Sequence, residues 1–226
     1  MFFDIYYLIL VVPALLLSAL AQIKVKSAFS KYSQINSSGG TSGKSVAEIL
    51  LRINGISNVR VEKTRGYLSD HYDPAGKTLR LSEQVYSSSS IAAIGVAAHE
   101  TGHAIQDKER YAPLILRSSL VPIAGIGSSA GSYLAIAGLI FSIKFLVTAG
   151  IVLFAVAVLF YIVTLPVEID ASRRALIILE NNAILSQEEL KGAKKVLTAA
   201  AFTYIASALT AVASLLRLIL LARDRK

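Results

Sequence analysis

The run His99-Glu100-Thr101-Gly102-His103 holds two of the three histidines of this 226-residue chain. On a helix, His99 and His103 lie one turn apart and project from one face, so their imidazoles can share a single ion. Glu100, offset by one position, can stand beside that ion without ligating it. There it would take a proton from a zinc-activated water attacking a peptide carbonyl, then pass it to the leaving amine. The pattern points to hydrolysis of peptide bonds, with one zinc ion per chain as cofactor and Glu100 as general base. An exposed helix end with two surface histidines would spell the same letters. Against that, Ala97, Ala98 and Gly102 are small and leave room around the pair. Gly102 costs about 1 kcal/mol in a helix interior, which close packing or substrate approach would justify.

A catalytic zinc takes three protein ligands and keeps one position open. With no cysteine in the chain, the third donor must be His71 or a carboxylate on the same side of the membrane. In Leu165-Pro-Val-Glu-Ile-Asp-Ala-Ser-Arg-Arg174, Glu168 and Asp170 are the first carboxylates after a long apolar block. Glu168 is the leading candidate, and Asp170 and His71 are the alternatives. An ion pair with Arg173 or Arg174, or charge placement at a helix start, would also account for Glu168. Asp170 better suits a partner that orients a histidine, or an arginine counter-ion. His71 and Tyr72 are placed to donate hydrogen bonds to a developing oxyanion, although a plain turn explains them equally well. Thr78–Ser82 reads as a strand that could take an extended peptide at its edge; an ordinary sheet strand is the equal alternative.

The elements that position these residues follow from hydropathy. The chain is 54% hydrophobic with a mean hydropathy of +0.58, and its apolar residues fall into four blocks. Phe2 to Ile23 reads as an uncleaved anchor, because no positive segment precedes it and no cleavage site follows. Leu114 to Ile143, rich in Gly, Ser and Ala, and Phe145 to Leu165 read as a transmembrane hairpin around Lys144. Pro166 is expected to kink the chain as it leaves the bilayer. Val196 to Leu221 is the fourth span, with Arg217 near enough to its end to snorkel.

The expected fold is a mainly α membrane protein, with about four transmembrane helices and a small α+β catalytic part at the membrane surface. Its segments are 1–23 (anchor), 24–112 (catalytic part), 113–165 (hairpin), 166–195 (third-ligand helix and linker) and 196–226 (last span and basic tail). Within the catalytic part, Asn36 to Gly43 reads as a flexible linker. Ser45 to Asn54 has helical spacing stopped by Gly55. Ile56 to Val61 and Thr78 to Ser82 alternate as short strands, with a turn over Asp70 to Gly76 between them. Ser87 to Ser90 offers N-caps for a helix running to Lys108. Ser186 to Glu189 fits a capping box opening the last helix.

The net charge of +8 comes from basic residues flanking the apolar blocks, which speaks for a lipid bilayer and against nucleic acid. Both polar stretches fall on one side, with Lys24, Lys26, Lys31, Lys108, Arg110, Arg173, Arg174, Lys191, Lys194 and Lys195. Lys144, Arg223, Arg225 and Lys226 lie on the other. The positive-inside rule places the site at the cytoplasmic face of a bacterial-type cell membrane. Only Ile91 to Ala98 before the motif is apolar, so the site belongs at the surface and not mid-bilayer. The expected partner is a protein or peptide substrate, membrane proteins among them.

With these residues placed, nearly the whole chain resembles the YugP-type family of membrane-bound neutral zinc metallopeptidases. The likeness rests on Leu68-Ser-Asp-His-Tyr-Asp-Pro74, Leu79-Arg-Leu-Ser82 with Val85-Tyr86, Ala92 to Gln106, and Leu165 to Ala175. It implies a gluzincin-like peptidase with His99, His103 and Glu168 on zinc and Glu100 as base. The chain is more distantly similar to HtpX-type and CAAX-type membrane proteases, which carry Glu-x-x-x-Asp after the motif. Here Ser172 stands in place of that aspartate, leaving Asp170 as the possible substitute. The rival from another class is a non-catalytic membrane scaffold or adaptor with a structural or vestigial zinc site. An intact Glu100 argues against it, since a structural site has no use for a base.

Overall fold

The computed structural model describes residues 4–224. Phe2 and Phe3 of the first apolar block, and Arg225 and Lys226 of the basic tail, lie outside the described residues. Four helices are long and apolar enough to cross a membrane: Tyr7–Ser33, Ala112–Ile140, Lys144–Asn181 and Gln187–Arg223. A small three-stranded sheet accompanies them. The architecture is therefore that of a membrane protein with a small α+β part.

In chain order, a π-helical turn (Tyr7–Val11) leads into α1 (Val12–Ser33), followed by α2 (Gly43–Ile53), β1 (Arg60–Thr64), β2 (His71–Asp73) and β3 (Thr78–Ser82). Then come α3 (Glu83–Tyr86), α4 (Ile91–Lys108), α5 (Ala112–Ile140), α6 (Lys144–Asn181) and α7 (Gln187–Arg223). The third span does not end at Leu165. Helix α6 runs on through Pro166, with Glu168 and Asp170 in its interior. The chain forms two compact units. One is made of Met1–Gln22, Ile115–Pro166 and Phe202–Lys226 in its described part, the other of Ile23–Leu114 and Val167–Ala201.

The second unit is built around α4. Ser90 caps the helix, its hydroxyl accepting from the Ala93 N–H at 3.2 Å, and nearly every residue from Ile91 to Gln106 is buried. Helix α2 lays Val46, Ala47, Leu50 and Leu51 into the same core. Its start is capped by Ser42, and Gly55 takes φ +63° just past its end, the left-handed conformation that favours glycine. The strand order is β1-β3-β2, with β1 parallel and β2 antiparallel to β3. Leu79 and Leu81 of β3 are fully buried, each contributing about 1.5–3 kcal/mol. From the far end of α6 and the start of α7 come Ala175, Leu179, Ala193 and Leu197.

Two local expectations shift. The first strand begins at Arg60, not Ile56, and the turn over Asp70 to Gly76 contains β2. The linker from Asn36 to Gly43 is also pinned, not free. Ser37 N–H donates to the Ser89 carbonyl, Gly43 N–H to the Ser88 carbonyl, and Ser38 N–H to Glu189 at 2.6 Å. Glu189 also accepts from the Ser186 N–H at 2.7 Å, closing the capping box of α7.

In the first unit, α5 and α6 pack backbone to backbone. A methyl added at Gly127 would lie 2.6 Å from the Leu153 carbonyl oxygen, and one at Gly131 would lie 2.7 Å from the Phe154 nitrogen. Such approach substitutes for the hydrophobic drive that lipid removes. Arg217 meets Asp4. Its guanidinium donates twice to one Asp4 carboxylate oxygen, at 2.6 and 2.9 Å, and lies over the Tyr7 ring.

Candidate metal centre

Helix α4 carries His99 and His103 on the face that meets α6, and Gly102 sets how close the two helices come. A methyl at Gly102 would lie 2.6 Å from the Ala171 carbonyl oxygen. Glycine is therefore required between the two histidines because the α6 backbone occupies the space a side chain would fill. Ala171 lies next to Ser172 and one turn from Glu168, so this contact brings α6 side chains onto the histidines.

Both histidines turn their Nε2 atoms to the same carboxylate oxygen. His99 Nε2 lies 3.2 Å and His103 Nε2 3.6 Å from Glu168 Oε2. One donor atom from each of the three residues falls within 4.8 Å of the others. Glu168 is 2% exposed. A buried carboxylate facing two imidazoles is a donor set of the kind zinc takes. The residues fit the ion. Neither Asp170 nor His71 belongs to this group.

The histidine Nδ1 atoms point the other way, and each has a partner. Ser172 Oγ lies 3.1 Å from His99 Nδ1, and Gln106 Oε1 lies 3.0 Å from His103 Nδ1. The Gln106 amide nitrogen donates to the Val167 carbonyl at 2.9 Å and to Asp170 Oδ2 at 2.8 Å. Arg174 holds Asp170 through its Nε at 2.5 Å and reaches Glu109 at 2.6 Å. Asp170 is thus both an arginine counter-ion and, through Gln106, a support for His103. The serine standing where related patterns have aspartate meets His99 itself, so Asp170 does not substitute there.

Glu100 is buried, and burial pushes its carboxyl up to about 7. The Glu168 and Asp70 carboxylates push the same way, while His99 and a hydrogen bond from the Tyr72 backbone N–H pull it down. Asp70 accepts from the Ser82 N–H at 2.7 Å and from its hydroxyl at 3.0 Å. Burial nevertheless holds the Asp70 carboxyl above its ordinary value. The Tyr72 hydroxyl turns away from Glu100 and donates to Asp107 at 2.6 Å. Burial, then that bond, keep the phenol protonated well above its usual range. His71 is exposed, with Nδ1 2.8 Å from the Ser69 carbonyl and Nε2 3.4 Å from Arg80. Of the pair read as oxyanion donors, only the Tyr72 backbone reaches a catalytic candidate. Strand β3 cannot take a peptide at its edge, because β1 and β2 occupy both sides.

Gln106, Ser172 and Asp70 escaped the reading of the sequence. Gln106 lies three residues after His103, and Ser172 four after Glu168. Those spacings share a helix face with the ligands and are the signal that would have found them.

The model of a family described as "Putative neutral zinc metallopeptidase" matches residues 7–223. The chain belongs to this family. A relative from Bacillus subtilis (strain 168), named "Putative membrane protease YugP", is 44% identical over 215 residues, covering 95% of this chain and 96% of the relative. No solved structure matches the chain. Membership agrees with the donor set: a zinc metallopeptidase family, an integral membrane protein, and a His-His-Glu group able to hold a metal.

Proposed function

We propose that the protein is a membrane-bound zinc-dependent endopeptidase with His99, His103 and Glu168 as metal ligands and Glu100 as general base. The observation that carries this reading is the convergence of two Nε2 atoms on one buried Glu168 oxygen, with a second buried carboxylate, Glu100, beside the histidines and outside the donor set. A zinc ion held by these residues supplies Lewis acidity, which polarises a carbonyl and brings the pKa of water near 7. Glu100 receives the proton from the attacking water and delivers it to the departing amine nitrogen. The Tyr72 N–H holds the carboxylate in place.

The test is zinc content and peptide cleavage for wild type, Glu100→Gln and Glu168→Ala. Glu100→Gln is expected to keep stoichiometric zinc and to lose turnover by about 10²–10⁴-fold. Glu168→Ala is expected to lose tight zinc; retention would remove Glu168 from the ligand set. Full metal with no cleavage by wild type of casein or a peptide library would favour the scaffold reading. The basic residues flanking the spans support a site on the cytoplasmic side. Since the chain has no cysteine, Ser57→Cys provides a single label on the exposed surface of the catalytic unit. Labelling of intact cells by an impermeant thiol reagent would reverse the orientation.

A further inference from the structure

Building on the metallopeptidase reading, we infer that Gln106 is a positioning residue that fixes the tautomer of His103. Asp170 and Arg174 in turn fix the orientation of the Gln106 amide. Gln106 is fully buried, and its amide has two ends of nearly equal size and opposite character. The surroundings choose between them. On one side lie two groups that only accept, the Val167 carbonyl at 2.9 Å and an Asp170 oxygen at 2.8 Å. The amide nitrogen must face them, because the reverse orientation sets three acceptors against one another without water. The amide oxygen is thereby turned to His103 Nδ1, 3.0 Å away. An oxygen there requires a proton on Nδ1, and a neutral imidazole protonated on Nδ1 has its lone pair on Nε2. Nε2 is the atom that faces Glu168.

Arg174 secures the acceptor end of this chain. It donates to Asp170 and Glu109 and lies over the Tyr111 ring, keeping the Asp170 oxygen aimed at the amide. His99 is served differently. Ser172 bonds its Nδ1, but a hydroxyl that rotates can donate as well as accept and imposes no tautomer. The two ligands are therefore unequal, His103 fixed and His99 permissive.

The experiment uses the full chain in detergent, with zinc affinity read by chelator competition. Gln106→Leu should weaken zinc about 10–100-fold, the range for removing a partner behind a ligating histidine, and Ser172→Ala should weaken it less. Gln106→Glu keeps the acceptor for His103 but sets a carboxylate against Asp170, so it should also bind poorly. Adding Asp170→Asn supplies a donor to the new carboxylate, while the Val167 carbonyl still faces it, and should raise affinity above that of Gln106→Glu alone. A merely structural Gln106 predicts no such rescue. Wild-type affinity in Gln106→Leu, or tight binding by Gln106→Glu alone, would overturn the inference.

Should Gln106→Leu fail to fold, histidine-selective nitrogen NMR of the metal-free wild type near pH 8 decides. His103 must carry a proton on Nδ1, whatever the Glu168 carboxylate does at Nε2, and an Nδ1 without a proton overturns the assignment. If wild type binds no zinc, the metallopeptidase reading fails separately, and the same spectrum still decides the role of Gln106.

Discussion

Burial raises the proton affinity of Glu100 most, and the buried Glu168 and half-buried Asp70 carboxylates push the same way. A base arranged in this way costs stability, so Glu100→Gln should do more than abolish turnover. It should raise the thermal midpoint of the metal-free protein, by about 1 kcal/mol in unfolding free energy, because it removes a buried charge and keeps the shape. Calorimetry in detergent checks this, and a lowered midpoint would contradict it. Asp70 has its own pH signature. Its folded carboxyl lies above the ordinary 3.8, so the folded state holds that proton more firmly than the unfolded chain does. Its contribution is complete below 3.8 and is lost as pH rises through the raised folded value. Asp70→Asn should flatten the stability profile across that window. The candidate donors were legible in the sequence because imidazoles one turn apart carry specific chemistry and Glu168 and Asp170 are the first carboxylates beyond a span. Their supports were not: Gln106 and Ser172 are common polar residues whose roles exist only once α4 and α6 are side by side.

Helices α4 and α6 meet at Gly102 and Ala171, so the spacing of the metal donors is set by backbone contact. Gly102→Ala would ordinarily favour a helix by about 1 kcal/mol. Here the methyl must displace the Ala171 carbonyl, and overpacking of this kind costs about 1–3 kcal/mol. The variant is expected to fold less stably and to bind zinc more weakly, read by thermal unfolding and chelator competition together. Weaker zinc with unchanged stability would mean that the helices part without strain. The starts of α4 and α7 were legible because Ser90 and Ser186 cap them by rules local to a few residues. The strands were not, since pairing decides them. Ile56 is buried after Gly55 as part of the α2 turn, which made the segment before Arg60 read as strand. The short β2 gains its place only by pairing with β3.

At the scale of the molecule, the first and last spans are tied by an ion pair. Asp4 and Arg217 side chains are 17% and 15% exposed. Arg217→Met leaves the Asp4 carboxylate without its guanidinium donors, only the Tyr7 N–H among the described bonds remaining, and should cost about 1–3 kcal/mol. The double change with Asp4→Asn should cost less. Thermal unfolding of the set in one detergent reads the difference, and equal losses would show that the charge pairing contributes nothing. The four spans were plain from hydropathy, but that α6 continues through Pro166 as a single helix was not. That continuity matters for how the protein is made. The histidines leave the ribosome well before Glu168, which lies 69 residues after His99, and the intervening chain is the hairpin that must enter the bilayer. On the proposed metal site, a nascent chain therefore holds two of its three ligands before Glu168 is made, and the order of synthesis itself delays assembly of the donor set.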